Sequence, residues 1–153
     1  MNMIHLRLSL AFVIALALTI LPLPSFLMGF RPPWVLLLFL YLAFYKPKAV
    51  NLIILFLLGL GLDVLLSTVL GEHAFALLLV TWLASTKERR FSHFPLGHQV
   101  IVIGLLCSSY QFTLFCIDGS FGYSTQFYAV FLSAGLSMVL WPWIRLFAED
   151  AFI

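Results

Sequence analysis

The sequence is short of charge. Of its 153 residues, eight are Lys or Arg and six are Asp or Glu, 9% in all. The surface of a soluble domain needs roughly a quarter of its residues charged, so a water-facing globule is excluded, and a disordered chain with it. Two cysteines are too few for a disulfide scaffold. A net charge of +2 is too small for a nucleic-acid footprint. No linker, low-complexity run or internal repeat divides the chain, and no nucleophile–base pair, phosphate loop or zinc signature stands in it. Neither catalysis nor a cofactor is expected.

What is abundant is apolar. The hydrophobic share is 63%, Phe alone occurs 16 times, and the mean hydropathy is +1.12. These values describe an integral membrane protein, one domain over residues 1–153. At about 20 residues per crossing the chain holds at most about seven spans. Charges and prolines delimit six, at about 8–28, 32–46, 50–70, 73–86, 97–117 and 126–145. They are read as helices, because runs such as Leu36–Leu42 and Ile101–Leu106 are apolar on every side, whereas membrane strands alternate. The fold class expected is therefore an all-α polytopic bundle of six transmembrane helices. The second and fourth runs are short; twelve residues give roughly 18 Å. Pro32 or Pro33 in a first helical turn is expected to lengthen the second. Otherwise the bilayer thins around them.

Six spans put both termini on one side. If that side is the cytoplasm, it holds Arg7, Lys46, Lys48, Lys87, Arg89, Arg90 and Arg145, and the outer side holds only Arg31, as the positive-inside rule requires. The Ala15-Leu16-Ala17 triplet lies inside the first apolar run, so that segment reads as a span rather than a cleaved signal.

Asp63 stands out, an acid deep in the third span, where it costs on the order of 2.5–3.5 kcal/mol to insert at the centre and less toward an interface. Gly59, Asp63 and Ser67 follow at four-residue spacing and are expected on one face. Asp63 is either a partner, ligand or proton site, or an interfacial acid, paired or hydrated, that orders the fold; the second reading is preferred. Arg31 is expected to meet a phospholipid headgroup rather than pair with Asp63, Glu72 or Asp118. Glu72-His73 is a poor metal site, since neighbouring helical residues diverge by about 100° and no second ligand pair follows; His5, His93 and His98 add none. Cys107 and Cys116 lie half a turn apart on one helix and cannot bridge. Gly104, Ser108, Gln111 and Asp118, with Ala129, Ser133 and Ser137, make small polar stripes suited to close packing, within one chain or in a homodimer. Trp34 is read as an outer interfacial anchor, and Trp141, Trp143 and Arg145 as inner ones. Pro142 is expected to bend or end the last helix.

These pieces in this order resemble the bacterial MreD family of rod shape-determining proteins. The resemblance rests on Phe30-Arg31-Pro32-Pro33-Trp34, then Lys46-Pro47, then Gly59-Leu60-Gly61-Leu62-Asp63 running on to Leu70-Gly71-Glu72-His73-Ala74, and last Leu140-Trp141-Pro142-Trp143. Pro33 stands where a variable residue is expected. The resemblance implies a non-enzymatic protein of the bacterial inner membrane that works with the bitopic protein MreC. It implies membership of the rod complex, with the actin-like MreB, the polymerase RodA and the elongation transpeptidase, and a role in lateral peptidoglycan synthesis. It also implies a bundle similar to the substrate-binding membrane subunits of energy-coupling-factor transporters. On that reading Gly59, Asp63, Ser67, Gly71, Glu72 and His73 shape a surface for the partner. The competing function is a small-ligand-binding membrane subunit of a vitamin-type transporter.

Overall fold

At the centre of the protein lies its shortest long helix. In the computed structural model, which describes residues 2–22, 24–26, 31–124 and 126–152, α2 runs Trp34–Tyr45. Val35, Leu36, Leu37, Phe39, Leu40 and Leu42 are all buried along it. Helices of the same chain surround this apolar sequence. It packs against α1 (Asn2–Ile20), α4 (Glu72–Ser85), the short α5 (Glu88–Phe91) and α7 (Tyr128–Phe152). The prolines do not lengthen it. Pro33 sits outside as the N-cap residue, with its carbonyl accepting from Leu37 N at 2.9 Å. The helix keeps twelve residues, surrounded by its neighbours.

α3 (Leu52–Leu66) pairs chiefly with α4, and α6 (Leu96–Ser120) with α7 and α4. A 3-10 turn, Pro47–Ala49, links α2 to α3. All described secondary structure is helical. α6 and the Tyr128–Asp150 part of α7 are long and apolar enough to cross a membrane, and four shorter apolar helices accompany them. Met28, Phe30 and Thr125, which the sequence placed at a span end, in a motif and in a loop, lie outside the described residues, as does the side chain of His5.

The exterior is greasy and the interior holds polar groups. Ile53, Leu57, Val64, Leu105, Phe131 and Val139 each expose more than half of their surface, while Asp63, Glu72, Gln99, Ser133 and Ser137 are buried. That inversion suits lipid as the surrounding solvent. The stripes on α6 and α7 meet within the chain. Gln111 Nε2 donates to Ser133 Oγ at 2.8 Å, and Ser133 Oγ in turn donates to the Arg31 carbonyl at 2.8 Å.

Two corrections concern the last helix. α7 continues through Pro142 to Phe152 rather than ending there. Trp141 is fully buried, whereas Trp143 is 60% exposed. Two helical residues on, the direction turns by about 200°, so only Trp143 faces outward and Trp141 is a core residue, not an interfacial anchor.

Trp141 belongs to a hub at one end of the bundle that the sequence did not announce. Its centre is the buried Gln99. Oε1 accepts from Tyr45 Oη (3.2 Å), Arg145 Nη1 (3.3 Å) and Trp141 Nε1 (3.5 Å), while Nε2 donates to the Phe91 and Phe94 carbonyls at 3.3 and 3.1 Å. Arg145 also bonds Glu149 at 3.0 Å and lies 5.8 Å from the Tyr45 ring centre. Phe91, next to the Arg89-Arg90 pair, stacks on Phe44 at 3.7 Å between ring centres. Gln99→Leu would keep the bulk and strand these donors and carbonyls. It is expected to lower stability by about 2 kcal/mol or more, read as an earlier thermal transition in detergent; an unchanged transition would show the hub to be dispensable.

Candidate functional site

Asp63 organises the turn between α3 and α4. The hydrophobic run continues to Leu70, yet α3 stops at Leu66. Ser67 adopts a left-handed backbone (φ 53°), and Thr68 N bonds back to the Asp63 carbonyl at 3.0 Å, a helix-ending closure that satisfies a free carbonyl. The Asp63 side chain then takes the other half of the turn. Oδ2 accepts from Gly71 N at 2.7 Å. Oδ1 accepts from His73 N at 2.9 Å, His73 Nδ1 at 2.8 Å and Thr68 Oγ1 at 3.3 Å. The amide of His73 is one of the orphan donors in the first turn of α4, so Asp63 caps that helix from across the turn. Its carboxyl oxygens sit at the helix N-terminus, where the dipole favours an acceptor. A carboxylate facing Nδ1 fixes the proton on that nitrogen of His73.

Gly71 makes the geometry possible. It has φ +94°, a conformation an L side chain strains to adopt. Gly59 serves the same pair of helices one turn earlier in α3. A Cβ there would fall on the Ala74 backbone, at 2.7 Å from its nitrogen and closer still to its Cα. α3 and α4 therefore touch backbone to backbone.

The structure brings together Gly59, Asp63, Gly71 and His73 from the sequence-derived set. It does not bring Ser67, which is exposed beyond the helix end; Thr68 takes the place beside Asp63. Glu72 is buried but turns from the Asp63 cluster into a cavity of about 390 Å³. His73, Tyr110, Asp118, Arg31 and Trp34 also line that cavity, at the end of the bundle away from Gln99. Arg31 makes no ion pair with described residues; its Nη2 donates weakly to the Leu21 carbonyl at 3.4 Å. No group of three His, Cys, Asp or Glu that could hold a metal occurs among the described residues. Cys107 and Cys116 are both free.

Asp63 was visible in the sequence as an isolated intramembrane acid. His73 was placed on the same surface, but its direct bond to Asp63 was not foreseen, because ten residues and a change of helix separate them. Gln99 was missed for lack of any motif; its one signal is a lone amide inside an apolar run.

No solved structure matches this chain. A curated relative does: the rod shape-determining protein MreD of Haemophilus influenzae, 29% identical over 135 residues, which cover 88% of this chain and 83% of the relative. The family model described as rod shape-determining protein MreD matches residues 2–150. That match takes in all the helices above, the Asp63 turn and the Gln99 hub alike, and by it the chain belongs to the MreD family, whose role is in determining rod cell shape.

Proposed function

We propose that the protein is a non-enzymatic scaffold of the cell-elongation machinery in the bacterial inner membrane. In this reading six helices cross the bilayer and both termini face the cytoplasm. The gathering of Tyr45, Gln99 and Arg145 with the Lys87–Arg90 turn at one end of the bundle supports that orientation, with Arg31 at the other. The protein binds MreC, and through the rod complex acts with RodA, the transpeptidase and MreB on lateral peptidoglycan synthesis.

The observation that carries the reading is the α3–α4 pair. Its inner faces are spent on each other, at Gly59 against Ala74 and at Asp63 against His73. Its outer face is left apolar and smooth: Ile54, Leu57 and Val64 are exposed, and Gly61 has open space above it. A rigid apolar ridge with a glycine in its middle suits close approach by another membrane helix. The Asp63 latch then acts by holding the ridge in place, not by touching the partner. Single cysteines at 57, 61 and 64 are expected to crosslink to the membrane helix of MreC, and depletion of the protein to turn rods into spheres. Cells that keep their rod shape on depletion would refute the scaffold role. Absent crosslinks, with the complex still intact, would move the contact off α3.

A further inference from the structure

Among the described residues, two buried side-chain atoms lack any hydrogen-bond partner, Arg31 Nε and Glu72 Oε2. Both residues line the same 390 Å³ cavity. Glu72 is 96% buried on its relative exposure of 4%, and a second carboxyl group, that of Asp118, lines the cavity with it. Most of the remaining wall is apolar, including Leu18, Leu36, Leu62, Leu114 and Val130. Opposite charges thus share a largely apolar chamber, yet no ion pair joins Arg31 to either acid. Glu72 lies within side-chain hydrogen-bonding reach of Asp118, so the two acids form one acceptor site, and leaving Glu72 Oε2 and Arg31 Nε without partners is costly. An acidic pair and a guanidinium that face one cavity without pairing point to a guest with both polarities. A bare metal ion fits poorly, because the guanidinium repels it and the ligand set is missing.

We propose that this cavity binds a small zwitterion, a molecule with a primary ammonium and an oxyanion on a short linker. The ammonium donates N–H bonds to Glu72 and Asp118, and the oxyanion accepts from Arg31 Nε. The volume lies within the roughly 300–1,000 Å³ of small-molecule sites. Two sources share this chemistry, the ethanolamine phosphate headgroup of a phospholipid and a soluble zwitterion of the same form. The proposal is independent of the scaffold reading; a cavity without a guest would leave the α3 ridge as it is.

The test uses the full chain in maltoside micelles, titrated with glycerophosphoethanolamine as the soluble source and dihexanoyl phosphatidylethanolamine as the lipid source. The choline counterpart of each is the control. Binding is read from the thermal transition and from the fluorescence of Trp34, which lines the cavity, in a variant with the other three tryptophans replaced by phenylalanine; the thermal reading is also made on the unaltered chain. At least one ethanolamine compound is expected to bind, about tenfold or more tighter than its choline counterpart, which has no N–H to donate. Preference for the acylated compound assigns a lipid; equal binding assigns the free headgroup chemistry. Glu72→Gln and Arg31→Gln should each weaken binding by about tenfold or more, and Asp118→Asn serves if either fails to fold. No binding by either ethanolamine compound, equal binding of the choline compounds, or wild-type affinity in the folded variants would overturn the proposal.

Discussion

Gly59→Ala should destabilise the protein by about 3 kcal/mol, and Gly59→Leu should leave little folded protein to purify. A single methyl at this position meets the Ala74 backbone rather than a movable side chain, so relief requires parting α3 from α4. Overpacking typically costs about 1–3 kcal/mol where side chains can adjust; here they cannot. Gly104 supplies the control. A Cβ there also collides, but with the side chain of Met138, a flexible thioether that can change rotamer. Gly104→Ala is expected to cost about 1 kcal/mol. Thermal unfolding of the two variants in the same detergent tests the difference. Equal losses would mean that backbone contact between α3 and α4 is not what sets the cost at Gly59.

Asp63→Ala should be as damaging, by a different route. It leaves Gly71 N and His73 N without their acceptor and His73 Nδ1 with only the Thr68 hydroxyl at 3.3 Å. At about 1–3 kcal/mol for each stranded buried donor, the loss is on the order of 4 kcal/mol, and the first turn of α4 frays. Asp63→Asn is the sharper probe. One carboxamide oxygen can still accept from His73, but its NH2 then faces the Gly71 amide donor-to-donor, for an expected loss of about 2 kcal/mol. Hydrogen exchange should accelerate at the amides of Gly71 and His73 in both variants, with the Gln99 end of the bundle unaffected. Uniform acceleration throughout would instead mark Asp63 as a global rather than a local support. A double-mutant cycle with His73→Ala isolates the share carried by the imidazole.

Helical class was legible in the sequence, and so were the bounds of α6, because hydropathy and charge report where apolar chain begins and ends; α1 begins earlier than the expected span and α7 ends later, since a helix can run past the apolar stretch into polar sequence. Pattern alone did not give the end of α3. Leu65, Leu66, Val69 and Leu70 continue the apolar run, and the helix stops where it does because Asp63 draws Thr68, Gly71 and His73 back onto itself. The same cause removed Ser67 from the expected face. The Trp141-Pro142-Trp143 motif reads as an interfacial belt by composition, and only the helical rotation separates the buried ring from the exposed one. The short α2 run was legible, but that α2 is the centre of the bundle was not, since a buried helix and a lipid-facing one share the same apolar composition.

The ring stack at the Gln99 end carries a mechanical consequence. Phe91 wedges between Phe44 of α2 and Trp141 of α7, and it follows directly on Arg89 and Arg90. A pull on those two arginines, by lipid phosphates or by an acidic neighbour, acts within two residues of a ring seated against both helices. A peripheral charge contact there would bear directly on the join between the central helix and the last one.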